Sequence, residues 1–336
     1  MIAALPFAER SKALLKCADA LEAASEELAQ LTALDTGNAI RTQARPEAGT
    51  LVALFRYFAG VAGEVKGVTL PSDDGTLQYT RREPLGVVAG ILPWNSPLLI
   101  AAFKTPAALA AGNTIILKHA EICPRSALRF EELTREASIP AGVYTNVFAT
   151  HEQVSDIIAD RRIQGISLTG SERAGAAVGA TAGKNLKKVV LELGGTDPYV
   201  ILDAADVRAA AQEAWDKRVH NAGQACTSNK RMIVMEDIYD QFVDEMVAIA
   251  EGYSKGDPAN PGENEYFPMS SRQAAETLDD QVTRAIAQGA TLRTGGEMDD
   301  TSAYYSPAVL TDLPVGSDVY YEEFFGPVAE IYKVSS

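Results

Sequence analysis

The stretch "GVVAGILPWNSPLLIAAFKTPAALAAGNTIILK", residues 86–118, decides the fold. It places an apolar run rich in β-branched residues first, a helical stretch over 98–111 second, and another β-branched run ending at Lys118 third. Strand, helix and strand in this order predict a parallel strand pair, because parallel strands need a long crossover connection. Both runs are almost wholly apolar, which is typical of strands covered on both faces.

The same alternation of strands and helices continues in the sequence that follows residue 118. Strands are predicted at "VYTNVFA" (143–149), "IQGISL" (163–168) and "KKVVLEL" (187–193), and helices over 124–137, 151–159 and 171–182. The rhythm predicts a doubly wound α/β domain, with helices on both faces of one parallel sheet.

A second α/β domain is predicted after Gly194-Gly195. Its strands are predicted at "PYVIL" (198–202), "RMIVM" (231–235), "YSPAVL" (305–310) and "AEIYKV" (329–334), and its helices over 206–220, 239–253 and 272–289. Near the N-terminus, apolar residues at helical spacing predict one amphipathic helix over 7–34. The turn signal Asp74-Gly75 predicts a hairpin over 65–82.

Charge and composition exclude several classes of function. The 336 residues carry a net charge of -15, which disfavours nucleic acid and anionic membrane surfaces as partners. Lys104, Pro106 and Gly112 interrupt the longest apolar stretch, so no membrane helix is predicted. The three cysteines are widely separated and lack a C-x-x-C pair, which argues against a disulfide framework or a metal cluster. A reducing, cytoplasmic location is therefore expected.

A single cysteine in "HNAGQACTSNK", residues 220–230, is the first candidate for chemistry. Taken alone, Cys226 is weak support for a site, because a free cysteine usually behaves as a small buried hydrophobe. Three further segments at predicted strand ends or loops accompany it: "LPWNSP" (92–97), "LELGG" (191–195) and "YEEFFGPV" (321–328).

These segments resemble the aldehyde dehydrogenase superfamily, which carries P-W-N, K-P-x-E, T-G-S, E-L-G-G, G-Q-x-C and E-x-F-G-P in this order. The separation of Glu192 and Cys226, 226 − 192 = 34 positions, matches as well. "LKHA", "FPMSS" and "YYEEFFGPVA" are similar to the succinate-semialdehyde dehydrogenase branch. Because similar proteins begin earlier and continue well beyond E-x-F-G-P, we expect a chain truncated at both ends, chiefly at the C-terminus.

The resemblance implies a role for each domain and a sequence of chemical steps. We expect an NAD(P)-binding domain over 1–64 and 83–194, an oligomerisation hairpin over 65–82, and an incomplete catalytic domain over 195–336. The implied activity is oxidation of an aldehyde, with succinate semialdehyde as the candidate, to the carboxylic acid with NAD(P)⁺ through a cysteine thiohemiacetal and thioester.

Three residues are implied in catalysis. Cys226 is the implied nucleophile, Glu192 the general base for the water that cleaves the thioester, and Asn95 an oxyanion donor together with the Cys226 N–H. Asn95 as a turn or cap residue, and Glu192 paired with Lys187 or Lys188, are the competing interpretations.

The implied cofactor is NAD, with NADP as the alternative. No G-x-G-x-x-G follows any strand, and the resemblance places the pyrophosphate at Gly170 and Ser171, where Ser171 also suits a helix N-cap. The carboxylate of Glu121, with Lys118, suits a ribose bearing two free hydroxyls, although a solvated ion pair is the competing interpretation. The remaining implied contacts are Trp94, Leu193, Gly194, Glu323 and Phe325, and Phe325 as a core residue is the competing interpretation. Lys104 has the position of a family lysine near the cofactor, and a solvated helix lysine is the competing interpretation.

Two other functions stay open at this point. One is a coenzyme A-acylating relative, against which Glu192 argues, and the other is a non-catalytic nucleotide-binding fragment. A substrate carboxylate would need a cation, for which Arg218 is a candidate; an exposed helix arginine is the competing interpretation. The resemblance implies a homodimer or homotetramer for the full-length protein, with a small-molecule aldehyde as substrate.

Overall fold

The computed structural model describes residues 5–335 and divides into two compact units. The first unit comprises the chain up to Asp35 and Arg45–Leu193, and the second comprises Thr36–Ala44 and the chain from Gly194 onward. The change from one unit to the other inside "LELGG" falls one residue before the boundary expected from the sequence. The short segment Thr36–Ala44, which the sequence expectation placed in the first domain, groups with the second unit.

The first unit is built around a five-stranded parallel sheet with strand order β5-β4-β3-β6-β7. The strands are β3 (Val87–Ile91), β4 (Thr114–Lys118), β5 (Tyr144–Val147), β6 (Ile163–Thr169) and β7 (Lys188–Glu192). The connecting helices are α4 (Pro97–Ala110), α5 (Pro124–Glu136), α6 (His151–Ala159) and α7 (Glu172–Lys184). The order runs outward in both directions from β3, so the predicted doubly wound fold is confirmed.

The N-terminal region of this unit is helical, with α1 (Phe7–Ala23), α2 (Ser25–Thr36) and α3 (Arg45–Val61). The prediction of one helix over 7–34 was wrong, because the helix breaks at Ala24. The Ser25 hydroxyl donates to the Leu21 backbone oxygen at 3.0 Å, a local hydrogen bond of the kind that bends helices. Asp35, in the last turn of α2, accepts hydrogen bonds from the Arg125 and Ser126 N–H groups at 3.0 and 2.9 Å and thereby caps α5.

A small hairpin also belongs to this unit. Its strands β1 (Thr69–Leu70) and β2 (Gln78–Tyr79) pair antiparallel, and Gly75 in the turn has a φ of 77°. Leu77 and Tyr79 expose 77% and 65% of their surface, so the hairpin presents apolar side chains outward. Its role in oligomerisation stays a prediction.

The second unit contains another five-stranded sheet, with strand order β12-β13-β14-β9-β8. Its strands are β8 (Asp197–Ile201), β9 (Asn229–Met235), β12 (Thr291–Thr294), β13 (Ala308–Thr311) and β14 (Val328–Val334), and its helices are α8 (Val207–Val219), α9 (Glu236–Glu251) and α10 (Arg272–Ala287). Only the edge strand β12 runs antiparallel. Two two-residue strands, β10 (Ser254–Lys255) and β11 (Glu265–Tyr266), pair apart from this sheet.

Short helical turns complete the described elements. Ile40–Ala44 is a π-helical turn, and Ala62–Glu64 and Val319–Tyr321 are 3₁₀ turns. His220–Gly223 is a kinked turn in which Asn221 and Ala222 have left-handed backbone conformations. Within residues 5–335 no helix is long and apolar enough to cross a bilayer. The same residues hold no group of three His, Cys, Asp or Glu side chains placed to bind a metal ion.

Candidate active site

In the first unit, the predicted cofactor residues follow the carboxyl ends of four parallel strands. Parallel strands bring these ends to one edge of the sheet, where α/β proteins bind nucleotides. The edge carries Trp94 and Asn95 after β3, Lys118 and Glu121 after β4, Gly170 and Ser171 after β6, and Glu192 at the end of β7. Asn95 is 7% exposed and lies in the bend before α4.

Lys118 and Glu121 form an ion pair at this edge. The Lys118 ammonium lies 2.9 Å from Glu121 Oε1, with 10% of the lysine side chain and 69% of the glutamate side chain exposed. The hydrogen bond from Lys118 lowers the pKa of Glu121, so the carboxylate is ionised at neutral pH. An exposed carboxylate on a buried cation suits hydrogen bonding to ribose hydroxyls, so these residues fit the adenosine end of a dinucleotide.

His119, between the members of this pair, is an unusual buried residue. It is 0% exposed, and neither of its ring nitrogens has a hydrogen-bond partner. Burial, together with the charge of Lys118, lowers its pKa to about 3. The imidazole is therefore neutral at pH 7 and its polar atoms are unpaired, which is costly for a buried group.

The segment after β6 joins Gly170 and Ser171 to the end of β7. The Gly170 N–H donates to the Glu192 backbone oxygen at 3.0 Å. Ser171 is the N-cap of α7, and its hydroxyl accepts from the Ala174 N–H at 3.3 Å, so the N-cap interpretation is confirmed. The first turn of α7 has further N–H groups that the helix itself does not use, together with the positive end of the helix dipole. This is a suitable anion site for a pyrophosphate.

A glycine in α7 brings that helix close to Leu193. A Cβ atom at Gly175 would lie 2.5 Å from Leu193 Cδ2, so only glycine leaves room for this packing. The contact fixes the start of α7 against the residue that follows Glu192.

Glu192 is exposed, and the neighbouring cations have distinct roles. Lys187 does not pair with it, because its ammonium donates to the backbone oxygens of Asp160 and Ile163 at 2.8 and 2.6 Å. Lys104 donates to Ser167 Oγ at 2.8 Å, and burial lowers its pKa to about 8 while the charge of Glu192 acts in the opposite direction. Lys104 is thus not a solvated helix lysine, and it lies within electrostatic reach of Glu192.

In the second unit, Cys226 lies on a turn between α8 and β9. The residues that precede it have left-handed backbone conformations: Asn221, Ala222 and Gly223 have φ values of 53°, 53° and 70°. For the two non-glycine residues this left-handed conformation costs about 1–2 kcal/mol each. Such strain is typical of functional loops that their surroundings hold in place.

The three cysteines differ in accessibility. Cys226 is half-buried, whereas Cys17 and Cys123 are fully buried. Burial raises the pKa of Cys17 to about 12 and that of Cys123 further, so neither forms a thiolate near neutral pH. Only Cys226 among them combines access with a strained turn.

Arg218, at the end of α8, holds this turn and a second loop together. It is 0% exposed, and its five N–H groups meet five acceptors. These are the backbone oxygens of Gly223, Phe324, Gly326 and Val328 at 3.2, 2.7, 2.5 and 2.6 Å, and Ser228 Oγ at 2.8 Å.

Both sequence interpretations of Arg218 are therefore wrong. It is not an exposed helix arginine, and no N–H group is left to bind a substrate carboxylate. Burial lowers its pKa to about 10, and the charges of Glu330 and Glu323 oppose this change, so it remains a cation at neutral pH.

The loop that Arg218 binds, residues 322–328, carries Glu323 and Phe325. Glu323 has one carboxylate oxygen 2.9 Å from the Lys230 ammonium, and its other oxygen lies so close to Gly194 that a Cβ there would be 2.0 Å away. Phe324 is the residue in the hydrophobic core, at 0% exposed, whereas Phe325 is only half-buried. Phe325 as ordinary core is therefore not what the structure shows.

Neighbouring residues fix the same loop. The guanidinium of Arg284 binds both carboxylate oxygens of Glu322 at 2.7 and 2.8 Å. A Cβ at Gly223 would lie 2.1 Å from the Gly326 backbone oxygen, so the Cys226 turn and this loop are in close backbone contact.

Sequence reasoning missed Lys230. This lysine begins a strand with alternating burial and is itself 0% exposed. A lysine at an inward-facing strand position signals a buried partner, because an unpaired ammonium is rarely buried.

Comparison with known proteins identifies the family. The model of the aldehyde dehydrogenase family matches residues 1–336. The succinate-semialdehyde dehydrogenase [NADP(+)] of Deinococcus radiodurans is 41% identical over 335 residues, which is 98% of this chain and 69% of that protein.

Solved structures agree. The succinic semialdehyde dehydrogenase of Streptococcus pyogenes in complex with NADP+ has a TM-score of 0.93 at 40% identity, over 98% of this chain and 72% of that one. PnpE in complex with nicotinamide adenine dinucleotide has a TM-score of 0.93 at 39% identity, over 99% of this chain and 69% of that one. The chain belongs to the aldehyde dehydrogenase family.

Proposed function

We propose that the chain oxidises an aldehyde to a carboxylic acid with a nicotinamide dinucleotide, and that Cys226 is the nucleophile. The observation that carries this proposal is the turn that bears Cys226, in a member of this family. The cysteine is half-buried and follows a strained segment, and the buried side chains of Arg218 and Lys230 donate to backbone oxygens of this turn. The first unit would bind the cofactor, and the second would carry the nucleophile.

The first chemical step is attack by the Cys226 thiolate on the aldehyde carbon, which places negative charge on the aldehyde oxygen. The side-chain amide of Asn95 and the backbone N–H of Cys226 are the proposed donors to this oxygen. Two donors of this kind stabilise a developing oxyanion strongly, and the loss of one typically costs a factor of about 100–1,000 in rate.

A nicotinamide held at this site would accept the hydride that leaves the thiohemiacetal carbon, and the adduct on Cys226 would then be a thioester. Glu192 is the proposed general base that takes a proton from the water attacking this thioester. Its exposure at the end of β7 leaves the carboxylate accessible to water. Acid is then released and the thiol is restored.

The cofactor would be held by the edge of the first unit and by Glu323 and Phe325 of the second. Gly170 and Ser171 at the start of α7 would bind the pyrophosphate, with Leu193, Gly194 and Trp94 lining the nicotinamide side. Glu121 favours NAD, because its carboxylate repels a 2′-phosphate, whereas Lys118 beside it attracts one. The relatives named above as NADP(+) enzymes make NADP the necessary comparison.

Succinate semialdehyde is the first substrate to test, on the strength of the relatives' names. Arg218 does not contribute to this choice, because its N–H groups are occupied. A neutral aldehyde of similar length is therefore the informative comparison.

We further propose that the hairpin formed by β1 and β2 takes part in oligomerisation. Its support is the exposure of Leu77 and Tyr79. Light scattering on the wild type and on Leu77→Ser tests it: a smaller assembly in the variant supports the proposal, and an equal mass contradicts it.

The experiment for the activity follows absorbance of the reduced cofactor with NAD and then NADP. Wild type, Cys226→Ala and the matched control Cys17→Ala are compared with each aldehyde. Activity that is lost in Cys226→Ala and kept in Cys17→Ala supports the proposal. Acid release without added thiol separates it from a coenzyme A-acylating reaction. Folded protein that reduces neither cofactor with any aldehyde supports the non-catalytic, nucleotide-binding alternative.

A further inference from the structure

Lys230 lies at the start of β9 with no exposed surface. Its strand pairs on both sides, with β14 and with β8. A buried ammonium is costly unless acceptors surround it. The acceptors of Lys230 therefore show what the residue is for.

Three oxygens surround the ammonium, each at 2.9 Å. They are the backbone oxygens of Ala225 and Cys226 and the Oε1 atom of Glu323. The contacts with the backbone oxygens of Ala225 and Cys226 are hydrogen bonds, whereas the contact with Glu323 is an ion pair, because the Oε1 atom has no hydrogen-bond partner. Two of the oxygens belong to the turn that carries Cys226, and the third belongs to Glu323, which is proposed to bind the cofactor.

The contact with Ala225 determines the direction of the Cys226 N–H. The Ala225 carbonyl and the Cys226 N–H belong to one planar trans peptide unit, in which the two groups point in opposite directions. Because Lys230 holds the carbonyl on its own side, the N–H points away from Lys230. That N–H is the backbone donor that the proposed function assigns to the oxyanion.

The contact with Lys230 also restrains the carboxylate of Glu323. Oε1 is held by Lys230, and the carboxylate is confined on its other side by the absence of a side chain at Gly194. One ammonium thus restrains a peptide plane and a carboxylate that belong to loops about 100 residues apart in the sequence.

We propose that Lys230 is a positioning residue that aims the Cys226 N–H at the oxyanion and holds Glu323 for the cofactor. This inference rests on the proposed function of Cys226. A purely structural lysine would contribute to stability alone. Lys187, whose ammonium also donates to two backbone oxygens, serves as the matched control for that role.

The test separates two reactions of the same sulfur. Alkylation of Cys226 by iodoacetamide forms no oxyanion, whereas acylation by para-nitrophenyl acetate passes through a tetrahedral oxyanion and needs no cofactor. We define the acylation ratio as the rate constant for acylation divided by that for alkylation. In Lys230→Met we expect this ratio to fall about 100-fold, as for the loss of an oxyanion donor, and in Lys187→Met we expect no change.

A second readout concerns the cofactor. Glu323→Gln is expected to raise the KM for the dinucleotide about tenfold. Lys230→Met is expected to raise this KM and also to lower the acylation ratio. If Lys230→Met does not fold, Lys230→Gln, which keeps a donor but has no charge, is measured by the same criterion.

The outcomes distinguish this inference from the proposed function. Wild type that is not acylated, or that is acylated equally in Cys226→Ala, contradicts the role of Cys226. Acylation that depends on Cys226, with an unchanged acylation ratio in the folded Lys230 variant, overturns only the role of Lys230.

Discussion

The guanidinium of Arg218 donates to the backbone oxygen of Phe324 across 2.7 Å, although the two residues are 106 positions apart in the sequence. Together with its bond to Gly223, this contact joins the turn that carries Cys226 to the loop that carries Glu323. The charge of Arg218 is therefore used to build the site and is not available to bind a substrate.

Replacing Arg218 by methionine is expected to lower the free energy of unfolding by about 3–5 kcal/mol, because it leaves buried acceptors and the buried Glu330 without their cation. Activity should fall by the same factor for succinate semialdehyde and for a neutral aldehyde. Urea unfolding and initial rates with both aldehydes measure this. Selective loss of the semialdehyde reaction would show instead that Arg218 binds the substrate carboxylate.

Gly223→Ala is expected to lower the free energy of unfolding by about 2 kcal/mol or more. Alanine disfavours the φ of 70°, and its Cβ would lie 2.1 Å from the Gly326 backbone oxygen. Gly183→Ala is the control, since a Cβ within α7 meets nothing and alanine stabilises a helix by about 0.5–1 kcal/mol. Chemical denaturation of both variants checks the prediction, and equal midpoints would contradict the close backbone contact.

His119 predicts a specific dependence of stability on pH. Its pKa falls from 6.5 in the unfolded chain to about 3 in the folded protein, so the proton binds the unfolded state more tightly. Stability from this residue is complete above pH 6.5 and is lost as the pH falls toward 3. Between pH 7 and pH 5 the loss is about 2 kcal/mol.

The matched variant for this effect is His119→Leu, which removes the titrating group and the two unpaired nitrogens. Its free energy of unfolding should exceed that of wild type by an amount that grows as the pH falls from 7 to 5. The difference between the two proteins cancels the contributions of other groups, such as Glu330, whose pKa burial raises to about 7. A difference that stays constant with pH would contradict the buried, neutral state of His119.

Glu121→Gln is expected to raise the ratio of kcat/KM for NADP to that for NAD about tenfold. The change removes a carboxylate that repels the 2′-phosphate and leaves Lys118 free to attract it, and a tenfold change corresponds to about 1.4 kcal/mol. Glu22→Gln is the control, because Glu22 is an exposed glutamate of α1 that pairs with Arg56 of α3. An unchanged cofactor ratio would show that the Lys118–Glu121 pair does not set the preference.

Strands such as β4, β13 and β14 were predictable from sequence because the near-continuous apolar runs of buried parallel strands are a local signal. β12 was not, since its four residues alternate between exposed and half-buried and carry little hydrophobic pattern. The helix α3 was overlooked although Leu51, Phe55 and Ala59 are buried at helical spacing.

The buried contacts by which Arg218 and Lys230 hold the site together could not be predicted from such local patterns. Arg218 and Lys230 bind backbone oxygens, and a backbone oxygen leaves no mark on the sequence of the segment that supplies it. A search for side-chain partners therefore misses them. The motifs located Cys226 and Glu323, and the folded chain was needed to show what holds them.

The central claim is that an acyl group passes through Cys226 and that Glu192 is needed to release it. The most direct measurement mixes Glu192→Gln with aldehyde and NAD, follows reduced cofactor over time, and locates any adduct by peptide mass spectrometry. We expect a burst of about one reduced cofactor per chain, followed by slow turnover, with the acyl group on the peptide that contains Cys226. Undiminished steady turnover, or an acyl group on another residue, would contradict it.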